Sequence, residues 1–97
     1  MRQDSVEEIK EKVGHILRSA GVKRAAVFGS YARNEAQEKS DVDILVEFEG
    51  RKTLFDFIEL EQKLEKELGR SVDLITYHSL SPLLHGRVLN EQIQIYG

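Results

Sequence analysis

The chain has no cysteine, which excludes disulfides, thiolate catalysis and cysteine-ligated zinc or iron–sulfur centres. One proline and seven glycines in 97 residues are too few for a disordered or linker-rich protein. Long apolar runs are missing: the longest wholly apolar stretch is Ala25–Phe28, far short of a membrane-spanning helix. Positive charge is not in excess either. Lysine and arginine number 14 against 17 acidic residues, a net charge of −3. No basic stripe is visible, which argues against direct nucleic-acid binding through bulk electrostatics. The opening MRQDSVEEIK is polar, without the apolar centre of a signal peptide. A cytoplasmic location with no membrane partner is therefore the expectation.

What remains is an ordinary globular balance, 40% hydrophobic and 32% charged. This length suits one domain, expected over residues 1–97, that buries roughly 65% of the surface its unfolded chain exposes. Neither repeats nor low-complexity segments interrupt it. Val6–Ala20 predicts a first helix, with Val6, Ile9, Val13, Ile16 and Leu17 on one face and Ser5 with Glu8 as a capping box. Arg24–Phe28 reads as a short buried strand that runs into Gly29-Ser30, with a short helix at Tyr31–Glu35 and a polar loop from Asn34 to Ser40. Asp43–Phe48 predicts a second strand in which Ile44, Val46 and Phe48 alternate with Asp43, Leu45 and Glu47. Thr53–Leu68 predicts the longest helix, with Leu54, Phe57, Ile58, Glu61, Leu64 and Leu68 on its inner side and Gly69 ending it. Ser71–Tyr77 is a third strand, Ser81-Pro82 opens a last helix that reaches Glu91, and IQIY forms an edge strand. The fold class is α+β with α/β-like alternation: a small mixed sheet of three or four strands packed against helices.

Chemistry concentrates in GSYARNEAQEKSDVDILVEF, residues 29–48. Asp41 and Asp43 stand at i and i+2, which puts their side chains on one face of an extended chain. Two carboxylates about 5 Å apart repel by roughly 3 kcal/mol at an effective dielectric near 20, so the pair calls for a cation. Hard oxygen ligands suit Mg²⁺ or Mn²⁺, which take phosphate oxygens as further ligands. The pair also reads as a turn followed by a strand cap. Gly29 allows a sharp turn and close approach of a ligand, Ser30 can cap the next helix or bond a phosphate, and Arg33 lies one turn further on. The same residues also describe a plain strand-to-helix turn. Asp73 interrupts the apolar strand Val72–Ile75, and it joins Asp41 and Asp43 if the third strand lies beside the second.

Gly29-Ser30, Ala32-Arg33, Ser40-Asp41, Asp43 and the following apolar run resemble the nucleotidyltransferases of the DNA polymerase beta superfamily, including the ten-residue spacer between Ser30 and Asp41. The closest likeness is to the minimal nucleotidyltransferases, which consist of the catalytic palm core alone. SVDLITYHSL resembles their third-carboxylate strand. Asn34 stands where the family has glycine, and asparagine tolerates left-handed backbone better than most residues.

The resemblance implies transfer of AMP from ATP to an acceptor hydroxyl with release of pyrophosphate. It implies that Asp41 and Asp43 hold two Mg²⁺ ions, that Asp73 helps bind one and favours deprotonation of the acceptor, and that Gly29, Ser30 and Arg33 receive the nucleotide phosphates. It further implies a hetero-oligomer with a HEPN-domain toxin, whose tyrosine accepts the AMP while this chain acts as its antitoxin. A non-catalytic antitoxin that masks its partner by binding alone is the alternative. The histidines are scattered, with no i, i+4 pair for zinc. His78 is a surface residue or an edge of the site, Tyr31 an exposed turn aromatic or a stacking platform, and Glu47 is peripheral. The glutamates of EKELGR are expected to be solvated, and Phe55 to mark a partner surface or to pack under a loop.

Overall fold

Helix α1, Val6–Ser19, follows from its 3.6-residue apolar period: Ile9, Val13, Ile16 and Leu17 are all buried. The computed structural model describes residues 6–29, 31–32 and 41–97. Ser5, and with it the expected capping box, lies outside the described residues. Strand β1, Val22–Phe28, begins two residues earlier than its sequence suggests, and β2, Val42–Phe48, begins one earlier. Helix α2, Leu54–Leu68, leads to β3, Val72–Thr76. A 3₁₀ turn, Tyr77–Ser79, precedes α3, Pro82–Glu91, and β4, Ile93–Tyr96, closes the chain.

The sheet order is β3-β2-β1-β4. β1 runs antiparallel to β2 and β4, and β2 runs parallel to β3 through the α2 crossover. α1 packs on α2, β1 and β4, and α2 packs on β3. One apolar cluster joins the two helices to Val27, Ile44, Val46, Val72, Leu74 and Ile95 of the strands. On the second face Ala26 and Leu45 are register partners and both are buried outside that cluster. This is the expected α+β mixed sheet, with IQIY as its edge strand.

The inner side of α2 departs from expectation. Leu60, Leu64 and Leu68 are buried and Phe57 packs partly against the core, whereas Leu54 is 72%, Phe55 82% and Ile58 40% exposed. Apolar residues crowd the first two turns on both sides of the helix, and the face that meets α1 is set by positions 57, 60, 64 and 68. Phe55 therefore does not pack under a loop. Thr53 caps the helix with Asp56 as a reciprocal box: Thr53 Oγ1 accepts from the Asp56 amide at 3.2 Å, and the Thr53 amide donates to Asp56 Oδ2 at 2.9 Å. The Thr53 backbone amide first, then its hydroxyl, hold the Asp56 carboxyl below its ordinary value of 3.8. Gly69, at φ +65°, ends the helix.

Glu65 is the second correction. It is not a solvated helix charge: its Oε2 accepts from the Val72 amide at 3.0 Å, in a half-buried position. The Val42 amide donates to Ser71 O at 2.9 Å. Together these bonds fix the start of β3 against the start of β2.

Leu60→Ala is expected to cost about 2–5 kcal/mol in urea unfolding, and Leu54→Ala no more than about 0.5 kcal/mol; equal losses would contradict the face assigned to α2. Glu65→Ala should speed amide exchange at Val72 while α1 amides keep their protection, and unchanged exchange at Val72 would refute the anchoring role. A carboxyl with a depressed folded value stabilises above its unfolded value and loses that contribution as pH falls through the folded one. Thr53→Ala, which removes the hydroxyl and keeps the amide, should therefore weaken α2 at neutral pH and flatten only part of the acid limb of the stability curve below about 4, whereas Asp56→Asn should remove that limb's Asp56 contribution altogether.

Candidate active site

The end of β1 and the beginnings of β2 and β3 meet at one edge of the molecule. β1 finishes at Phe28, whose Cα partner on β2 is Asp43, and the Cα partner of Asp43 on β3 is Asp73. Neighbouring strands lie about 4.8 Å apart, so the two aspartates stand side by side. Their parity is fixed by their neighbours: Val42, Ile44, Val72 and Leu74 are buried in the helix-facing cluster, so Asp43 and Asp73 project from the other face. Asp73 is exposed and Asp43 half-buried. Asp41, one residue before β2, is exposed as well.

Gly29 follows Phe28 at φ +71°. A Cβ built at this position would run into the Asp43 carboxylate. Two constraints thus require glycine here, a left-handed backbone and the space its missing side chain leaves for Asp43. The next described residue, Tyr31, is only 4% exposed and belongs to the core cluster. It is therefore neither the exposed aromatic nor the stacking platform expected from sequence. It roots the turn in the core, and Arg70, between α2 and β3, lies over its ring at 6.0 Å. Tyr31 and Ala32 form a turn. Ser30, Arg33, the rest of the expected short helix and the loop to Ser40 lie outside the described residues.

The structure therefore brings together Gly29, Asp43 and Asp73, with Asp41 two residues from Asp43. Among the described residues no three His, Asp or Glu side chains close into a cage for an ion. The donor set is a pair of aligned carboxylates on an open face. Such a set suits Mg²⁺, which demands octahedral oxygen ligation and binds through one or two carboxylates with substrate phosphates and water completing its shell. Asp41, Asp43 and Asp73 are the residues that could hold it.

Sequence reading missed two contributors. Glu65 looked like one of several helix glutamates, and its bond to Val72 depends on the tight turn at Gly69. Tyr31 gave no signal, because a single aromatic after a glycine turn has no period to place it. His78 and Glu47 are absent from this edge. Both line a cavity of about 590 Å³ near the C-terminal ends of β2 and β3.

The sequence profile of the Polymerase beta nucleotidyltransferase family matches residues 11–97. A candidate protein adenylyltransferase of Methanocaldococcus jannaschii is 53% identical over 91 residues, covering 94% of this chain and 98% of that protein. The protein adenylyltransferase MntA of Thermococcus cleftensis is 51% identical over 75 residues, covering 77% and 76%. Among solved structures, a candidate minimal nucleotidyltransferase superposes with a TM-score of 0.81 at 40% identity, covering 96% of this chain and 98% of that one. A toxin–antitoxin complex with AMP-PNP gives 0.78 at 30% identity, covering 91% and 73%. A complex of a tri-AMPylated Shewanella oneidensis HEPN toxin with an MNT antitoxin gives 0.72 at 28% identity, covering 95% and 72%. With the profile spanning most of its length and close relatives matching nearly end to end, this chain belongs to the polymerase beta nucleotidyltransferase family and is a nucleotidyltransferase.

Proposed function

We propose that this chain, as one domain over residues 1–97, transfers AMP from ATP to a tyrosine hydroxyl of a HEPN-domain toxin in the cytoplasm and thereby acts as its antitoxin. The alignment of Asp43 with Asp73 against the Gly29 turn is the observation that carries the reading. Relatives named protein adenylyltransferases support AMP as the transferred group. The AMP-PNP complex supports ATP as donor, and the modified HEPN toxin bound to an MNT antitoxin supports the hetero-complex. Tyrosine as acceptor rests on the family resemblance.

In this reading Gly29, Ser30 and Arg33 receive the β and γ phosphates. Asp41, Asp43 and Asp73 would hold two Mg²⁺, or Mn²⁺, whose charge would offset that of the triphosphate and of the five-coordinate phosphorus in transfer. The acceptor oxygen attacks the α-phosphorus in line, the bond from that phosphorus to the bridging oxygen breaks, and pyrophosphate leaves. Asp73, exposed at the rim, takes the hydroxyl proton. Water is kept from competing by the partner surface that carries the hydroxyl, because Asp41 and Asp73 are exposed.

Incubation with Mg-ATP and the cognate HEPN protein should add one or more AMP masses to the partner, and EDTA should abolish the gain. Asp43→Asn and Asp73→Asn should each lower transfer by roughly 100-fold or more, the order lost with one strong electrostatic stabiliser. Gly29→Ala should lower transfer and stability together. If the Asp41→Asn, Asp43→Asn double variant still neutralises the toxin, with no mass gain from the native chain, neutralisation is by binding alone and the enzymatic reading fails.

A further inference from the structure

The 590 Å³ cavity lies beside the other end of β2, four residues along the strand from Asp43, or about 13 Å. Its size falls in the range of small-molecule sites, roughly 300–1,000 Å³. Its walls combine two chemistries. Arg24, Lys52, His78 and His85 supply nitrogen donors, and Phe57, Tyr77 and Leu54 supply apolar surface. Glu47 is the one carboxylate on the lining among the described residues, and Arg24 Nε engages it at 2.6 Å. Arg24 and Lys52 thus bring two positive charges to one cavity of a chain whose net charge is −3.

Arg24 is braced by its neighbours. The Arg24 guanidinium sits 4.2 Å from the centroid of the Tyr77 ring, and the Tyr77 hydroxyl donates to Gln92 Oε1 at 2.8 Å. Burial raises the Tyr77 hydroxyl above its ordinary value, against the opposing pull of Arg24, so it stays a neutral donor committed to Gln92. With Nε spent on Glu47, the remaining guanidinium edge of Arg24 stays available, its side chain 48% exposed. The Lys52 ammonium lies next to Gly21, where an added Cβ would come within 2.8 Å of it, and its field also reaches Asp56. Neither imidazole, His78 or His85, has a hydrogen-bond or ion-pair partner among the described residues.

We infer that this cavity is a second ligand site, separate from the aspartate edge and independent of the transfer reaction, for a small organic phosphate. Its phosphoryl group would meet Arg24, Lys52 and the two imidazoles, since arginine forks onto phosphate oxygens and lysine supplies a point charge. Its apolar or aromatic body would lie on Phe57, Leu54 and the Tyr77 ring edge. Exposed Leu54, at the mouth, is then ligand-facing surface rather than a misplaced core residue.

The full chain in EDTA, which removes metal-dependent binding at the aspartates, should be titrated with phenyl phosphate, inorganic phosphate and phenol while imidazole resonances are followed by NMR. Phenyl phosphate should shift His78 and His85 saturably and leave His15, on α1, unmoved. Inorganic phosphate and phenol should each bind at least about tenfold more weakly, because each supplies one half of the recognition. Lys52→Gln, an exposed change that spares the fold, should weaken phenyl phosphate by about tenfold. Non-saturating shifts, equal response to inorganic phosphate, or a Lys52→Gln variant that binds as well as the native chain would each overturn the assignment, and the first would show only surface ion pairing.

Discussion

A single row of cross-strand partners, Phe28–Asp43–Asp73, fixes everything the aspartate edge can do. Side chains alternate with a period of two, so slipping β2 by one residue would drive both the Asp43 carboxylate and the Glu47 carboxylate into the helix-facing core. The buried neighbours Val42, Ile44, Val72 and Leu74 forbid that slip. Hydrophobic burial, not electrostatic attraction, therefore holds the two acids together.

Register alone would leave the carboxylates correctly aligned but loosely held in depth. Two turns supply the remaining constraint. The Gly29 turn lets the Asp43 carboxylate occupy the volume of a missing side chain, and Tyr31 roots that turn in the core. The Gly69 turn brings Glu65 back onto the Val72 amide, one residue before Asp73. Arg70 over the Tyr31 ring joins the two turns. Each contact is worth little by itself, about 1–3 kcal/mol for a hydrogen bond to a charged group. Their importance lies in converging on the same two strand ends.

Much of this was legible in the sequence, and the parts that were not share a cause. α1 could be read from its apolar period, β2 from its alternation, β1 from its apolar run and α3 from the Ser81-Pro82 start. The second strand also announces its polar parity directly, since Ile44 and Val46 bracket Leu45 while Asp43 and Glu47 take the other face. α2 could not be read so well. Leu54, Phe55, Phe57, Ile58 and Leu60 offer overlapping apolar stripes, and only the position of α1 selects among them. Asp73 could be named as a candidate from the cost of a charge in an apolar strand. Its exact partnering with Asp43 depended on β3 lying parallel beside β2, a long-range fact with no local signature. Glu65 and Tyr31 were illegible for the same reason, because each acts through a residue distant in sequence or through the core as a whole.

The distribution of layers explains why the aspartate row stays accessible. A chain of this size affords one substantial core, and α1 and α2 use it on one face of the sheet. Among the described residues the second face carries the buried pair Ala26 and Leu45 between its two polar ends, and Val88 of α3 is likewise buried outside the helix-facing cluster. Asp43 and Asp73 stand at one of those ends, and Arg24, Glu47 and Tyr77 at the other. Four strand positions separate Asp43 from Glu47, so the two polar ends of this face lie about 13 Å apart. Register and the two turns, rather than any single contact, hold the carboxylates at the strand ends.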